Sequence, residues 1–183
     1  MCMKNLIIIA GDLAAGKSTL ADLLSCELNV LAIKKDEVKE ILCDVFDYAN
    51  REENKKLSIA AVRDMINTFK QTALYGGDLI LEANFHAHEM KELYSLSQKH
   101  EYHVTLLYLT STYEKLYERF LSRIPTRHKA HMSIGLDKDY GKFCQYIDTL
   151  RNDDYVFEKN VIDTTNLTRE EVVQTALKII QKK

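Results

Sequence analysis

The chain has 183 residues, of which 46% are apolar and 28% charged, and this composition is ordinary for a globular protein with a substantial core. Its net charge of −2 gives no overall electrostatic reason to bind nucleic acid or an anionic membrane, although a local basic groove is compatible with it. No stretch approaches the roughly 20 apolar residues that are needed to span a bilayer. Four cysteines without a C-x-x-C pairing favour reduced thiols in a cytoplasmic protein: Cys2, Cys26, Cys43 and Cys144.

The first predicted element is a buried strand over Leu6–Ala10, which is too short to be the apolar region of a signal peptide. Residues 11–18 then read Gly-Asp-Leu-Ala-Ala-Gly-Lys-Ser and match the phosphate-binding pattern G-x-x-x-x-G-K-[ST]. A helical stretch follows from Ser18 to Leu28. The motif requires a strand before it and a helix after it, so this context disfavours an ordinary tight turn.

The motif predicts a nucleoside triphosphate site. Backbone N–H groups of the loop form a concave anion site, backed by the positive end of the following helix. Lys17 is expected to reach the β- and γ-phosphates, and the Ser18 hydroxyl to ligate Mg²⁺. The predicted nucleotide-binding residues of the loop are Gly11, Asp12, Leu13, Ala14, Ala15, Gly16, Lys17, Ser18 and Thr19.

Further along the chain, short apolar segments alternate with helical periods, which predicts an α/β fold with a parallel sheet covered by helices on both faces. Helices are expected over Glu37 to Phe46 and Asn54 to Leu74, and after the capping boxes that start at Ser111 and Thr168. The later strands are expected over Val30–Ile33, Leu79–Ala83, His103–Leu109 and Asn160–Ile162.

Polar residues follow several predicted strands, and ligands of an open parallel sheet bind beyond the carboxyl ends of its strands. Asp36 either accepts the proton of an acceptor hydroxyl or caps the next helix. Glu82 either orders Mg²⁺ or its water shell, or is a satisfied residue at a sheet end. His86 and His88 are expected to be solvated or to face the substrate, with a transition-metal site as the minor alternative. The loop 163–166 either contacts the adenine or forms a turn.

A basic stripe follows the fourth strand, where Lys115, Arg119 and Arg123 recur at i, i+4 spacing. Like charges at this spacing destabilise a helix by about a few tenths of a kcal/mol per pair. The stripe therefore favours a binding site for an anionic ligand over a solvated basic face. After the only proline, Arg127 and Lys129 continue the basic density. We expect a lid over about residues 119–140, with Arg119 on the nucleotide and with Arg123 and Arg127 neutralising the transferring group while water is excluded.

These motifs together resemble the small AAA-type P-loop kinases grouped around zeta toxin, chloramphenicol phosphotransferase and polynucleotide 5′-hydroxyl kinase. The resemblance is carried by residues 11–19, 35–39, 82–85 and 119–131. It implies a three-layer P-loop NTPase fold with a five-stranded parallel sheet of order 2-3-1-4-5, and it implies ATP and Mg²⁺ as cosubstrates. It also implies Lys17 on the phosphates, Ser18 on the metal, Asp36 as base and Arg123 or Arg127 as the lid arginine.

The sequence therefore predicts a phosphotransferase that moves the γ-phosphoryl group of ATP to an alcohol group of an unidentified small molecule. One alternative is a polynucleotide 5′-hydroxyl kinase, which needs a basic groove that carries aromatic residues. Another is a nucleotide-binding regulator without kinase activity, although a GTPase is disfavoured because no N-K-x-D motif occurs. We expect one domain over residues 1–183 and no membrane contact, and either a monomer or a homodimer.

Overall fold

The computed structural model describes residues 4–131 and 135–182, so Cys2 and positions 132–134 of the expected lid lie outside the described residues. The strands within these ranges are β1 (Lys4–Gly11), β2 (Ala32–Lys34), β3 (Leu79–Glu82), β4 (Tyr102–Thr110) and β5 (Lys159–Asp163). They form one parallel sheet of order β2-β3-β1-β4-β5, which confirms the predicted fold class and strand order.

Helices cover both faces of the sheet, because side chains alternate along the strands and each strand is apolar on both sides. The helices are α1 (Lys17–Leu28), α2 (Lys35–Val45), α3 (Arg51–Tyr75), α4 (Ala87–Lys99), α5 (Tyr113–Arg123), α6 (Tyr140–Arg151) and α7 (Arg169–Gln181). On β1, Ile7 and Ile9 pack on one face with α1, α5, α6 and α7, whereas Leu6 and Ile8 pack on the other face with α3 and α4. None of the described helices is long and apolar enough to cross a membrane.

The register of the sheet brings the carboxyl ends of four strands to one edge. Glu82 at the end of β3 pairs with Ile9 of β1 and with Lys34 of β2. Gly11 at the end of β1 pairs with Leu109 of β4. The phosphate loop, the start of α2 and the residues after β3 therefore lie together, as the parallel arrangement requires.

Two predicted helix starts are corrected by the structure. The helix α2 begins at Lys35 and Lys34 occupies the capping position, so the interpretation of Asp36 as the cap is wrong. The helix α5 is capped by Thr112, whose hydroxyl accepts from the Lys115 N–H, and not by Ser111. Since β4 extends to Thr110 and the Ser111 hydroxyl contacts Thr165, Thr112 is the first residue free to cap. The capping box at Thr168 is confirmed.

Candidate active site

The loop between β1 and α1 has the geometry of an anion site. Gly11 has φ of +133°, and a Cβ there would lie 2.0 Å from the Leu109 carbonyl oxygen, so only glycine fits. Gly16 adopts a left-handed conformation and directly precedes α1. The first N–H groups of α1 have no partner inside the helix and carry the positive end of its dipole, which suits them to a phosphate.

Asp12 has a different role from the other loop residues. Its side chain is fully buried, and its Oδ2 accepts from Arg151 Nη2 at 2.7 Å and from Thr110 Oγ1 at 2.7 Å. The Asp12 N–H also donates to the Leu109 carbonyl oxygen at 2.9 Å. The carboxylate anchors the loop to the sheet and to α6 and is not free for a ligand. The sequence did not point to Arg151, because nothing in the chain around it resembles a motif.

Lys17 is folded back onto its own loop. Its Nζ donates to the carbonyl oxygens of Gly11 and Asp12 at 3.0 and 2.8 Å. Burial lowers the pKa of Lys17, although the nearby carboxylates of Glu82 and Asp36 oppose this shift. The ammonium group has only neutral oxygens as direct partners here, so an arriving phosphate would supply the counter-charge.

Ser18 and Glu82 bring two oxygen ligands together beside the loop. Ser18 Oγ donates to Glu82 Oε2 at 3.2 Å, and the Glu82 side chain is almost completely buried. Burial raises the pKa of Glu82, against the attraction of Lys17. Hydroxyl and carboxylate oxygens suit Mg²⁺, which takes its other ligands from substrate phosphates and water.

The two histidines after β3 do not form a metal centre with their surroundings. The rings of His86 and His88 are stacked with centroids 6.1 Å apart, and the described residues contain no group of three or more His, Cys, Asp or Glu side chains that could hold an ion. His86 precedes α4, with its N–H donating to Glu89 Oε2 at 2.7 Å. It also lines a cavity, in keeping with the prediction of a substrate-facing histidine.

Asp36 lies one residue inside α2, between the side chains of Lys35 and His131. Lys35 Nζ is 2.9 Å from its Oδ1, and His131 Nδ1 is 3.9 Å from its Oδ2. Partial burial opposes ionisation, but Lys35, His131 and Lys17 outweigh it and hold the pKa of Asp36 below its usual value. His131 in turn contacts Glu40 at 2.6 Å. Asp36 is therefore an ionised carboxylate at the same edge of the sheet as the phosphate loop.

The predicted basic stripe on α5 divides into two parts. Lys115 pairs with Glu118 at 3.1 Å and is half exposed, as expected for a solvated face. Arg119 instead donates to the hydroxyl and carbonyl oxygens of Thr164 at 3.0 and 2.9 Å. Arg123 and Arg127 line cavities beside the loop, and Arg127 Nη1 is buried with no hydrogen-bond partner among the described residues.

The segment 127–131 is held against α2 and the start of α3. The carbonyl oxygen of Ala130 accepts from Lys39 Nζ at 2.9 Å and from Asn54 Nδ2 at 3.2 Å. Lys129 pairs with Asp44 at 2.9 Å. This segment of the expected lid is therefore docked on α2 and α3 by Lys39 and Asn54, neither of which is predicted from the sequence to make this contact.

Cavities formed by the described residues border the loop. A flanking cavity of about 330 Å³ lies between Gly16, Thr19, Arg119 and Thr164, and it includes Thr168. A central cavity of about 420 Å³ contains Lys17, Asp36, Glu82 and Arg127. A bridging cavity of about 340 Å³ joins Ser18, Asp36, Arg123 and Arg127. The two carboxylates and the lysine singled out from the sequence therefore meet in one cavity, and Thr164 of the loop 163–166 lines another.

A family model described as an AAA domain matches residues 7–140. The chain belongs to this AAA domain family. The match covers the phosphate loop, Asp36, Glu82 and the arginines of α5, and it ends at the start of α6. The search of curated proteins found no match.

Solved structures of kinases share the fold of this AAA domain chain over nearly its whole length. A proposed kinase from Chloroflexus aurantiacus is 24% identical, with a TM-score of 0.79 over 98% of this chain and 100% of that one. The APS kinase CysC of Mycobacterium tuberculosis, solved with AMPPNP and APS, is 12% identical, with a TM-score of 0.64 over 98% and 99%. A gluconokinase from Sinorhizobium meliloti is 12% identical, with a TM-score of 0.60 over 96% and 91%. The specific kinase families that the sequence resembles are not confirmed by these comparisons.

Proposed function

We propose that the protein is an ATP- and Mg²⁺-dependent kinase that transfers the γ-phosphoryl group to an alcohol group of a small molecule. The observation that carries this proposal is the presence of Lys17, Asp36 and Arg127 around one central cavity. A phosphate-binding lysine, a carboxylate and a guanidinium group with an unused donor are the parts that phosphoryl transfer needs.

ATP would bind with its phosphates on the loop Gly11–Ser18 and its base in the flanking cavity. The free N–H groups at the start of α1 and the ammonium of Lys17 support the first contact. Arg119 and Thr164, which are hydrogen-bonded to each other, support the second because both line that cavity. Thr19 also lies there, directly after the loop.

Ser18 and Glu82 would hold Mg²⁺, since their oxygens are within hydrogen-bond distance of each other at the loop. The ion supplies charge neutralisation at the phosphates when it is bound. Burial raises the pKa of Glu82 despite the opposing charge of Lys17, so the ionised carboxylate is poorly compensated by the protein's own groups and suits a divalent ion.

In the transfer step, Asp36 would accept the proton of the acceptor hydroxyl. The hydroxyl oxygen of the acceptor attacks the γ-phosphorus, an O–P bond forms, and the bond from the γ-phosphorus to the β–γ bridging oxygen breaks to release ADP. The hydroxyl proton passes to the Asp36 carboxylate, which is ionised because Lys35, His131 and Lys17 lower its pKa against the effect of burial. Arg123 and Arg127 would neutralise charge on the transferring group.

The proposal is tested by measuring ADP release from ATP and Mg²⁺ in the presence of pooled acceptors. The pools contain sugars, hydroxy acids, nucleosides, aminoglycosides and a 5′-hydroxyl oligonucleotide, and products are identified by mass spectrometry. Release stimulated by a small-molecule pool, with a phosphorylated product, is the expected result. Stimulation by the oligonucleotide alone would indicate a polynucleotide kinase, and tight ATP binding without any product would indicate a nucleotide-binding regulator.

A further inference from the structure

The central cavity has more cationic than acidic side chains on its walls. Its carboxylates are Asp36, Glu82 and Asp153. Lys17 belongs to the phosphate loop, and Lys35 pairs with Asp36. The remaining four cations form no ion pair with any residue in the described ranges 4–131 and 135–182. The cationic residues of the cavity are Lys17, Lys35, Lys39, Arg51, Lys55 and Arg127.

Lys39 is the most deeply buried of these unpaired cations, with only 7% of the residue exposed. Its Nζ donates to Asn54 Oδ1 at 2.8 Å and to the Ala130 carbonyl oxygen at 2.9 Å, and both acceptors are neutral. Burial and the charge of Lys35 lower the pKa of Lys39. A buried ammonium without a carboxylate is costly, so this arrangement is one that a bound anion would stabilise.

Arg51 and Lys55 stand one turn apart at the start of α3, where the helix dipole disfavours positive charge. Two like charges at i, i+4 spacing also repel each other. Both residues line the central cavity, whereas the acidic residues of the first turn, Glu52 and Glu53, do not. An anion in the cavity would offset both unfavourable effects.

Three of these cations line the central cavity alone, where the acceptor would meet Asp36. Lys39, Arg51 and Lys55 line the central cavity, but they are absent from the walls of the bridging cavity, which contains Ser18. They are likewise absent from the flanking cavity beside Arg119. Arg127 lines both the central and bridging cavities, and its buried Nη1 has no partner among the described residues. Of the four cations of the central cavity that have no ion pair within the described part of the chain, Arg127 alone also lines the bridging cavity.

We infer that the acceptor carries an anionic group, a carboxylate or a phosphate, in addition to the hydroxyl that is phosphorylated, and that Lys39, Arg51 and Lys55 recognise this anion. This inference rests on the proposed kinase function. Lys39 follows Asp36 by three residues on α2, a spacing that puts Cβ atoms about 5–6 Å apart. The anion and the reacting hydroxyl are therefore separated by a few bonds, as in a small hydroxy acid or a sugar phosphate.

The test compares acceptors that differ in charge but share a skeleton: gluconate and glucose, glycerate and glycerol, glucose 6-phosphate and glucose. The value of kcat/KM for ADP release is measured for each, with product identified by mass spectrometry. The anionic member of at least one pair is expected to exceed its neutral partner by about tenfold to a hundredfold, the range of a charge-assisted hydrogen bond. A preference for gluconate or glycerate would identify the anionic group as a carboxylate, and a preference for glucose 6-phosphate would identify it as a phosphate.

Variants connect this preference to the named residues. Lys55→Gln changes an exposed residue and is expected to raise the KM of the anionic acceptor about tenfold while leaving the KM of ATP unchanged. Lys39→Met should have the larger effect, and Lys55→Gln keeps the test decisive if the buried variant fails to fold. Lys56→Gln is the control, because Lys56 is an exposed neighbour on α3 that does not line the cavity. Equal or better use of the neutral acceptors would overturn the inference and leave the kinase proposal standing.

If no compound is phosphorylated, the kinase proposal fails for this panel, and binding decides the anion inference separately. Sulfate is titrated into the protein in the presence of saturating AMPPNP, which occupies the phosphate loop. Binding that weakens in Lys55→Gln and Lys39→Met but not in Lys56→Gln supports the inference. Absence of binding, or equal binding by all variants, overturns it.

Discussion

Asp12 and Arg151 form an ion pair that joins the phosphate loop to the end of α6. Arg151 Nη2 and Nε lie 2.7 and 3.0 Å from Asp12 Oδ2, although the two residues are 139 positions apart in the chain. The Asp12 side chain is fully buried, whereas 29% of the Arg151 side chain is exposed. Loss of the arginine would leave a buried carboxylate with only hydroxyl donors.

We expect Arg151→Met to lower the free energy of unfolding by about 3–5 kcal/mol, the usual cost of breaking a buried ion pair from one side. Urea denaturation measures this change. The double variant Asp12→Asn/Arg151→Met should lose less stability than the sum of the two single variants, because they share one contact. Lys142→Met, an exposed residue on the same helix, is the control. A stability of Arg151→Met within about 0.5 kcal/mol of the wild type would exclude a structural role for the pair.

Lys17→Ala is expected to abolish turnover, with a fall in kcat of about 100-fold or more, and to weaken ATP binding. Its stability should not fall, because burial already lowers the pKa of the Lys17 ammonium and its direct partners are neutral carbonyls. ADP release, ATP titration and thermal unfolding measure the three quantities. The matched change Lys115→Ala on an exposed lysine should leave all of them unaltered. Wild-type turnover in Lys17→Ala would mean that the loop does not serve as proposed.

Asp36→Asn should retain ATP affinity while kcat falls about 100-fold or more, since the variant cannot accept the hydroxyl proton. Its free energy of unfolding should fall by no more than about 1 kcal/mol, because the lowered pKa of Asp36 means that its ionised form stabilises the fold, while its half-exposed side chain keeps this contribution small. Asp47→Asn, an exposed carboxylate beyond that helix, is the control. Comparable kcat values in wild type and Asp36→Asn would remove the carboxylate from the reaction.

The pH dependence of the wild type tests the charge of the same carboxylate. Partial burial opposes ionisation, but Lys35, His131 and Lys17 hold the pKa of Asp36 below its ordinary value of 3.8. The carboxylate is therefore ionised above pH 3.8, and it becomes protonated only as the pH falls below that value. The rate of transfer should therefore show no acid limb from Asp36 between about pH 5 and pH 8. An acid limb near about pH 6 that vanishes in Asp36→Asn would contradict this ionisation state.

Arg127→Met is expected to lower kcat about 10- to 1000-fold with little change in ATP affinity, because Arg127 would stabilise the negative charge that develops on the transferring group in the transition state. Stability should be preserved, since the buried Nη1 makes no hydrogen bond within the described residues. Arg123→Met should behave similarly. Lys138→Met removes an exposed cation from the same part of the chain and serves as control. If both arginine variants transfer at the wild-type rate, the lid is not catalytic.

Glu82→Gln should make the ligand-free protein more stable at neutral pH while weakening the dependence of turnover on Mg²⁺. Burial raises the pKa of Glu82 above its ordinary value of 4.5, so folding favours the protonated form, and this contribution is lost as pH rises through the raised pKa. We expect a Tm increase of roughly 2–4 °C at pH 7, on the order of 1 kcal/mol, that disappears near pH 4. Glu52→Gln, on an exposed carboxylate, should not change Tm. A lower Tm for Glu82→Gln at pH 7 would show that the carboxylate is already compensated.

Local patterns identified most of the strands and the residues at their ends. One continuous segment predicts the strand Leu6–Ala10, the glycine-bounded loop and the helix after it, and β1 and α1 agree with that prediction. The helix start at Ser111 was predicted one residue too early, because the end of β4 is set by the pairing of Thr110 with Asp163. Neither α4 nor α6 was predicted, and α6 carries Arg151.

By itself, the sequence determined that a phosphate-binding loop follows a buried strand, since conformational freedom at glycine and backbone N–H groups act over a few residues. It also determined that Asp36 and Glu82 lie at or just after the ends of strands, and a parallel sheet brings such ends to one edge. Only the tertiary structure decided that Asp12 is held by Arg151, that Lys39 meets Ala130, and that unpaired cations share a cavity with Asp36. These contacts join residues far apart in the chain, and burial and missing counter-charges exist only once the helices have packed.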